Sequence, residues 1–519
     1  MSGHVTLKKA LISVSDKTGI VRLSRGLREC GFEILSTGGT AKLLRDNGVT
    51  VKEVSEITGY PELFGGRVKT LHPSIYGGIL ASRDNPEHMR QLKEHNMPEI
   101  DIVIANLYPF RDVSRKEGID LKDIIENIDI GGPALLRAAA KNYRSVTVIV
   151  DSADYDKALS ELKETGGISA DVRARLAIKA FQHTSDYDYY ISDYLEKVIS
   201  QPEKFPSTLR LRLDKVMDLR YGENPHQSAA LYGKEERQVS VLTACKIQGK
   251  SLSYNNVLDL DCVKNLLGEF EGITSVIIKH MNPCGVASGP NALEAYTRAY
   301  ECDTASAYGG VIGINCEVDR EAADQISQRF YEAIIAPGFD EGALQALSRK
   351  KNLTILDLGK GAKIAPEGGM EMRDVVGGML LQERDSSSME ESRLKSVTSR
   401  KPSAGEIRDL IFAWKVAKHT KSNAIVLVKG ERTIGIGAGQ MSRVDSAKVA
   451  IAKAGSKTRG SCMASDGFIP FKDTVEEAMR AGVTAIIQPG GSIRDREVIQ
   501  LASENDIAMV FTGTRCFRH

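Results

Sequence analysis

Paired cysteines, long apolar runs and a charge imbalance are all missing from this chain, and each shortage removes a class of protein. No Cys-x-x-Cys occurs: the eight cysteines stand singly at 30, 245, 262, 284, 302, 316, 462 and 516. That pattern fits reduced thiols in a cytoplasmic enzyme better than a disulfide framework. No run of about eighteen apolar residues is present, so no membrane-spanning helix is expected. Between Met1 and Lys9 there is no apolar core of a secretory leader. Lys and Arg number 69 against 68 Asp and Glu, a net charge of +1, which argues against a nucleic-acid partner. Small anionic ligands stay open, because they need only local positive charge.

What is present is ordinary globular sequence, 42% hydrophobic and 26% charged, long enough for roughly three to four domain-sized units. The opening alternates. Apolar runs over 10–14, 32–36, 100–105 and 146–150 predict strands, and amphipathic stretches over 20–29, 40–47, 131–140 and 171–190 predict helices. Such alternation indicates a mostly parallel sheet covered by helices. The polar stretch from Ser200 to Ser207, with Pro202 and Pro206, reads as a linker, which predicts domains over 1–200 and 201–519.

Beyond the linker a weak repeat emerges. Apolar runs over 275–279 and 424–429 both end in lysine and are followed by Gly-rich sequence. Each is followed later by a small-residue segment, Ser306-Ala307-Tyr308-Gly309-Gly310 and Ala464-Ser465-Asp466-Gly467-Phe468. Two tandem α/β subdomains, joined by a polar, aperiodic connector over 382–403, would explain this; the competing reading is that buried strands look alike. The first run ends in Lys279-His280, then Met281-Asn282-Pro283-Cys284-Gly285, expected as a turn. A flexible cation beside a group that titrates near neutrality would suit acyl transfer between nitrogens. A plain strand end in solvent fits equally well.

Two loops in the first domain stand where strand hands over to helix: Ser13-Val14-Ser15-Asp16-Lys17-Thr18-Gly19 and Ser36-Thr37-Gly38-Gly39-Thr40. Free N–H groups at helix starts, glycines, hydroxyls and the Lys17 charge suit phosphate. N-caps and turn formers are the competing reading. Neither loop has P-loop spacing, so ATP hydrolysis is not implied. Gly65-Gly66-Arg67-Val68-Lys69-Thr70-Leu71-His72-Pro73, Asn106-Leu107-Tyr108-Pro109-Phe110 and Asn127-Ile128-Asp129-Ile130-Gly131-Gly132-Pro133 follow, the last opening a helix with Arg137 and Lys141. Arg67, Lys69 and Lys141 beside Gly turns and an Asp suggest a lined anionic pocket.

Taken in order, these motifs resemble the IMP cyclohydrolase domain of the bifunctional AICAR transformylase/IMP cyclohydrolase family. The second half resembles its transformylase domain through Leu219-Arg220-Tyr221-Gly222-Glu223-Asn224-Pro225-His226-Gln227, Lys279-His280-Met281-Asn282-Pro283, Ser422-Asn423, the segment from Gly435 to Arg443, and that from Ser465 to Phe471. The resemblance covers essentially the whole chain. It implies a methylglyoxal-synthase-like parallel-sheet domain followed by tandem cytidine-deaminase-like α/β subdomains.

It also implies formyl transfer from the co-substrate 10-formyltetrahydrofolate to AICAR, with His280 as base and Lys279 and Asn423 stabilising charge or protonating the leaving nitrogen. Arg220, Tyr221, Arg443, Arg515, Phe517 and His519 would then lie near the nucleotide, and Asp473 and Ser492 near the folate. In the other domain, ring closure to IMP follows on a substrate anchored by Ser13, Ser15, Lys17, Thr18, Ser36, Thr37, Gly38 and Thr40, with Arg67, Thr70, Asn106, Gly131 and Gly132 lining the pocket. Lys69, Tyr108, Asp129 and Lys141 are the candidates there for proton transfer and oxyanion stabilisation. A cytoplasmic homodimer is implied. Tyr308 stands where the family often has Phe, and Asn282-Pro283-Cys284 where some members have Ser-Pro-Ala.

Two signals are declined. Gly435-Ile436-Gly437-Ala438-Gly439-Gln440 has Gln in the third Gly position of a dinucleotide fingerprint. Neither His-x-Glu nor Cys-x-x-Cys occurs, so zinc-deaminase ligands are missing and no catalytic metal is expected. A nucleotide sensor without turnover, or an enzyme with one active domain, are the rival readings; the retained Lys279-His280, Lys69, Tyr108 and Asp129 speak against both.

Overall fold

The computed structural model describes residues 7–116, 118–200, 203–234, 239–366 and 368–519. The leader-free stretch expected over 1–9 lies outside them up to residue 6, as do Gln201 and Pro202 of the expected linker; the rest of that linker holds no helix or strand. The chain forms two compact units, Met1–Leu209 and Arg210–His519.

In the first unit β1 (Lys8–Ser13), β2 (Phe32–Ser36), β3 (Val51–Glu53), β4 (Ile102–Ala105) and β5 (Thr147–Ile149) form a parallel sheet in the order β3-β2-β1-β4-β5. Both faces are covered. Ala10, Ile12, Ile34, Ile102 and Ile104 point into one core, and the alternate residues Leu11, Leu35, Val103 and Val148 into the other. That two-sided burial is why the strands read as unbroken apolar runs. The helix expected over 171–190 runs Ala170–Ile199, longer at its far end.

The second unit is a repeat. After a two-stranded ribbon of β6 (Asp214–Asp218) and β7 (Ala230–Gly233) come β8 (Cys245–Gln248), β9 (Thr274–Lys279), β10 (Asn282–Ser288), β11 (Val311–Ile314), β12 (Ala333–Ala336) and β13 (Thr354–Asp357), in the order β10-β9-β11-β12-β13-β8. An exposed hairpin of β14 (Met370–Val375) and β15 (Gly378–Glu383) separates them from β16 (Lys395–Ser396), β17 (Ile425–Val428), β18 (Thr433–Gly437), β19 (Cys462–Ser465), β20 (Ala485–Gln488) and β21 (Ala508–Phe511). Read from its other edge, the order β18-β17-β19-β20-β21-β16 is the same. Both sheets share one core: Val276 and Ile278 of the first and Val426 and Val428 of the second close on Leu260 and Leu267 of helix Tyr254–Leu267 and on Leu410 and Trp414 of helix Ala404–Lys418. At the sheet edges Thr433 Oγ1 accepts from the Val286 N–H (2.9 Å) and donates to the Val286 carbonyl (3.1 Å).

β9, which ends at Lys279, is antiparallel to both neighbours, and two expectations change. Pro283, Cys284 and Gly285 lie within β10, across a bulge, and the turn is His280-Met281 itself. The connector expected over 382–403 begins inside β15 and contains edge strand β16, which pairs with β21.

Candidate functional site

In the first unit the strand order reverses at β1, flanked by β2 and β4, so the loops leaving β1 and β4 open a crevice at their carboxyl ends. Asn106 ties the two loops. Its Oδ1 accepts from the N–H groups of Ser15 (2.6 Å) and Asp16 (3.0 Å), and its Nδ2 donates to the Asp16 carbonyl (2.9 Å). Lys17 and Thr18 are exposed at the tip, Thr18 bent back onto Asp16, while Ser13 and Ser15 are half-buried along the loop. Ser36 and Thr40 turn inward instead. Their buried hydroxyls donate to the carbonyls of Ile12 (2.7 Å) and Val14 (3.0 Å), so they brace the loops and keep no proton for a ligand. Thr37 caps the next helix without a side-chain bond, and Gly38 takes φ +47° at its start. A Cβ on Gly38 would lie 3.6 Å from Lys69 Nζ, which places that ammonium over the helix start.

A second cluster sits at the start of helix Gly131–Lys141. Asp129 Oδ1 accepts from the Gly132 N–H (2.8 Å), and the Asp129 N–H donates to the Tyr187 hydroxyl (2.7 Å). Burial raises the Asp129 carboxyl above its ordinary range, although the N–H groups of Gly132 and Gly131 and the Lys69 charge pull the other way. A Cβ on Gly132 would come within 2.3 Å of Asp129 Oδ2, and one on Gly131 within 3.2 Å of Thr70 Oγ1. Thr70, Asp129 and both glycines are therefore one packed group. Tyr108 is 51% exposed. Arg67 is exposed and bonded to Glu126 (2.9 Å). Lys141 ends the helix that Gly131 begins, about 15 Å along its axis, so it is not gathered with Asp129. Sequence reading missed Tyr76 and Tyr187. The Tyr76 hydroxyl is buried without a hydrogen-bond partner, and burial and the Asp129 charge raise its pKa; its signal was its place in the helix opened by His72-Pro73.

In the second unit Lys279 and His280 stand at the β9–β10 hairpin. His280 (φ +53°) and Met281 (φ +61°) are its two central residues, the pattern of a type I′ turn. For residues with a side chain this costs roughly 1–2 kcal/mol each. Asp259, buried in helix Tyr254–Leu267, accepts from both turn N–H groups, Met281 at 2.7 Å and His280 at 3.3 Å. Burial raises the Asp259 carboxyl, against those two bonds and the nearby His280 charge. Lys279 Nζ donates to the Tyr308 carbonyl (2.7 Å), and the imidazole is exposed. Tyr308 is 65% exposed, its ring beside Phe330.

Asn282 joins this turn to the second repeat. Its Oδ1 accepts from the Lys421 N–H (3.0 Å), and its Nδ2 donates to the His280 carbonyl (3.2 Å). Next to Lys421, Asn423 is fully engaged. Its amide donates to the carbonyls of Gln440 and Met441 (3.0 Å each), and its Oδ1 accepts from Arg443 (2.9 Å). No amide proton is left for a developing oxyanion in this arrangement. Arg443, 8% exposed, is bonded in turn to Ser465 (2.8 Å) and to the buried Asp466, which sequence reading did not single out. Gly467 is where Phe517 and Arg443 close in: a Cβ would meet them at 2.4 and 2.6 Å.

Asn423, Arg443, Phe468, Phe471, Asp473 and Phe517 line a hollow of about 390 Å³. Arg515 lies over Phe517 (4.9 Å), and His519 is edge-on to it (6.0 Å). Arg494, stacked on Phe471 (5.0 Å), brings the Ser492 loop beside this hollow, while Asp473 Oδ1 accepts from Thr474. Arg220 is exposed, over the Tyr221 ring (5.4 Å) and bonded to Asn256 (3.3 Å). Among the described residues no group of three or more His, Cys, Asp or Glu could hold a metal.

Two α/β units, one with Gly- and hydroxyl-bearing loops at a switch point and one with an exposed histidine on a hairpin tied to the wall of an aromatic hollow, have the form of a two-site enzyme. Comparison with known proteins makes this specific. Residues 19–134 match the MGS-like domain and residues 139–453 the AICARFT/IMPCHase bienzyme. The bifunctional purine biosynthesis protein PurH of Acetivibrio thermocellus is 52% identical over 514 residues, 99% of this chain and 100% of that protein. PurH of Bacillus cereus is 52% identical over 513 residues, with the same coverage. A solved structure described as "Crystal structure of ForH" shares 39% identity, covering 37% of this chain and 99% of that chain, with a TM-score of 0.33. The chain belongs to the AICARFT/IMPCHase bienzyme family, and is accordingly an AICAR formyltransferase and IMP cyclohydrolase.

Proposed function

We propose that the two activities are divided between the two units in the last steps of purine synthesis. The second unit moves a formyl group from 10-formyltetrahydrofolate to AICAR, and the first closes the ring to IMP. The reading rests on the hairpin tip: an exposed imidazole on a turn bonded to the buried Asp259, linked through Asn282 and Lys421 to the Asn423–Arg443 wall of the aromatic hollow.

The AICAR amine is a weak nucleophile, its lone pair delocalised into the ring. His280 takes a proton as the amine attacks the formyl carbon. The tetrahedral oxyanion is stabilised by the Lys279 ammonium, and its collapse breaks the bond to the folate nitrogen, which takes a proton as it leaves. Asn423 takes part as a fixed polar wall, held by Arg443. The folate is covered by Phe468 and Phe471, with Asp473 and Ser492 at its polar edge; Arg220, Tyr221, Arg443, Arg515, Phe517 and His519 face the nucleotide. In the first unit the carboxamide nitrogen attacks the new formyl carbon and water departs. Because both partners are one molecule, the protein's work is to hold the reactive conformer. The β1 loop, Thr37 and Gly38 hold the phosphate, and Lys69, Tyr108 and Asp129 handle protons and the developing oxyanion; Lys141, about 15 Å along its helix from Gly131, stands apart from them.

Eight free cysteines suit a reducing cytoplasm. A homodimer is supported by Ile178, Phe181, Val198 and Ile199, large apolar residues left exposed on the helix Ala170–Ile199. His280→Ala tests the reading. Transfer, followed as tetrahydrofolate release, is expected to fall roughly 10²–10⁴-fold, with cyclisation of supplied formyl-AICAR unchanged. Normal transfer by the variant would remove His280 from the mechanism.

A further inference from the structure

The repeat inside the second unit contains its own control for the catalytic turn. Helix Tyr254–Leu267 is capped by Ser253 in a capping box with Asn256, and Asp259 lies six residues after the cap. Helix Ala404–Lys418 is capped by Ser403 in a box with Glu406, and Asp409 lies six residues after that cap. Asp409 grips the β17–β18 turn as Asp259 grips the β9–β10 turn: its carboxylate accepts from Gly430 (2.8 Å) and Glu431 (2.7 Å), both at positive φ. The lysines match too. Lys279 Nζ donates to the carbonyl of Tyr308 (2.7 Å), three residues before β11, and Lys429 Nζ to that of Arg459 (2.8 Å), three residues before β19.

The twin turns differ at the first central position. Gly430 takes positive φ without penalty, whereas the first repeat carries His280 there. A left-handed histidine is an uncommon choice, held in place by a bond that the second repeat applies to a turn needing less restraint. We propose that Asp259 is a positioning residue for formyl transfer: its buried carboxylate holds the His280-Met281 turn so that the imidazole meets the AICAR amine. The inference rests on reading His280 as the transfer base. It assigns Asp259 no contact with substrate, only the conformation of the residue that makes it.

The test compares Asp259→Asn with Asp409→Asn in the full chain, since each disturbs the same pair of bonds in one twin turn. Asp259→Asn is expected to lower kcat for tetrahydrofolate release by roughly 30–100-fold, the scale of a small misplacement of a reacting group. KM for both substrates should stay within about threefold, since this reading leaves the binding walls untouched. Asp409→Asn is expected to stay within about threefold of wild type throughout. Adding Met281→Gly, which eases the left-handed strain, should restore part of the lost kcat. Backbone amides of His280 and Met281 should exchange faster in Asp259→Asn, with those of Gly430 and Glu431 unchanged. Wild-type kcat in Asp259→Asn, equal losses in both variants, or unchanged exchange at His280 and Met281 would overturn the proposal. If Asp259→Asn and Asp259→Glu both fail to fold while Asp409→Asn folds, Asp259 is a stability residue and the proposal is likewise overturned. A wild-type protein without transfer would instead defeat the assignment of His280, and the exchange comparison would still decide whether Asp259 holds the turn.

Discussion

Gly132 shows how tightly the proposed cyclisation site is set at the scale of one residue. Its missing Cβ leaves room for Asp129 Oδ2, which a methyl would approach to 2.3 Å, with Leu107 Cδ2 at 2.7 Å on the other side. Asp129 has no slack, because its Oδ1 is bonded to the Gly132 N–H and its backbone to Tyr187. Gly132→Ala must therefore move the carboxylate or the helix start. We expect at least about a tenfold loss in cyclisation of supplied formyl-AICAR, with tetrahydrofolate release unchanged in the same preparation. Cyclisation at the wild-type rate would separate Asp129 from the chemistry. Ser36 and Thr40 illustrate the opposite case. Their residue types suit phosphate, but alternation along β2 and the first helix turn sends both hydroxyls inward to the carbonyls of Ile12 and Val14, which residue identity alone does not reveal.

Among the elements, helix Ala404–Lys418 carries a pH-sensitive start. Glu406 closes the capping box with Ser403 and binds Arg400 through both oxygens (2.7 and 3.0 Å). Burial opposes its ionisation, yet the bonds from Arg400 and Ser403 outweigh it and bring its pKa from 4.5 to about 2. A carboxyl depressed on folding contributes stability above its unfolded pKa and loses it as pH falls towards the folded value. Urea unfolding of the second unit should therefore weaken between about pH 5 and pH 2, by up to about 3 kcal/mol from this group. Glu406→Gln should flatten that part of the profile; an unchanged acid limb would show that the pair is not formed in solution. Elements were legible where one signal dominated. Helix Ile20–Glu29 and strand β2 fall where periodicity places them. The hairpin β14–β15 was hidden because Met379, Leu380 and Val376 face solvent, so no alternation marks it. The antiparallel setting of β9 was hidden as well: a doubly covered strand looks the same whichever way its neighbours run, and His280-Met281 lacks the Asn-Gly that usually announces a tight hairpin.

For the whole molecule, the internal repeat explains why the parts of the proposed transfer site lie at such distant sequence positions. Two equivalent sheets pack their helices into one core, and Glu269 ties the ends of that layer, accepting from the buried Lys418 (2.9 Å) and paired with His419 (3.0 Å). The arrangement brings the end of β9 and the segment leading into β17 together, so that Asn282 meets Lys421. Matching apolar runs ending in lysine made the repeat visible in the sequence, but its shared core and the twin Asp-held turns depend on side-chain direction and needed coordinates. Lys141, about 15 Å from the Asp129 end of its helix, marks what the first unit does not gather by itself. One chain is to perform transfer and closure in succession, and the decisive measurement follows tetrahydrofolate and IMP separately in purified protein given AICAR and 10-formyltetrahydrofolate. Tetrahydrofolate and IMP should form in equal amounts once the intermediate reaches steady state; formyl-AICAR accumulating without IMP, or no tetrahydrofolate at all, would contradict the account.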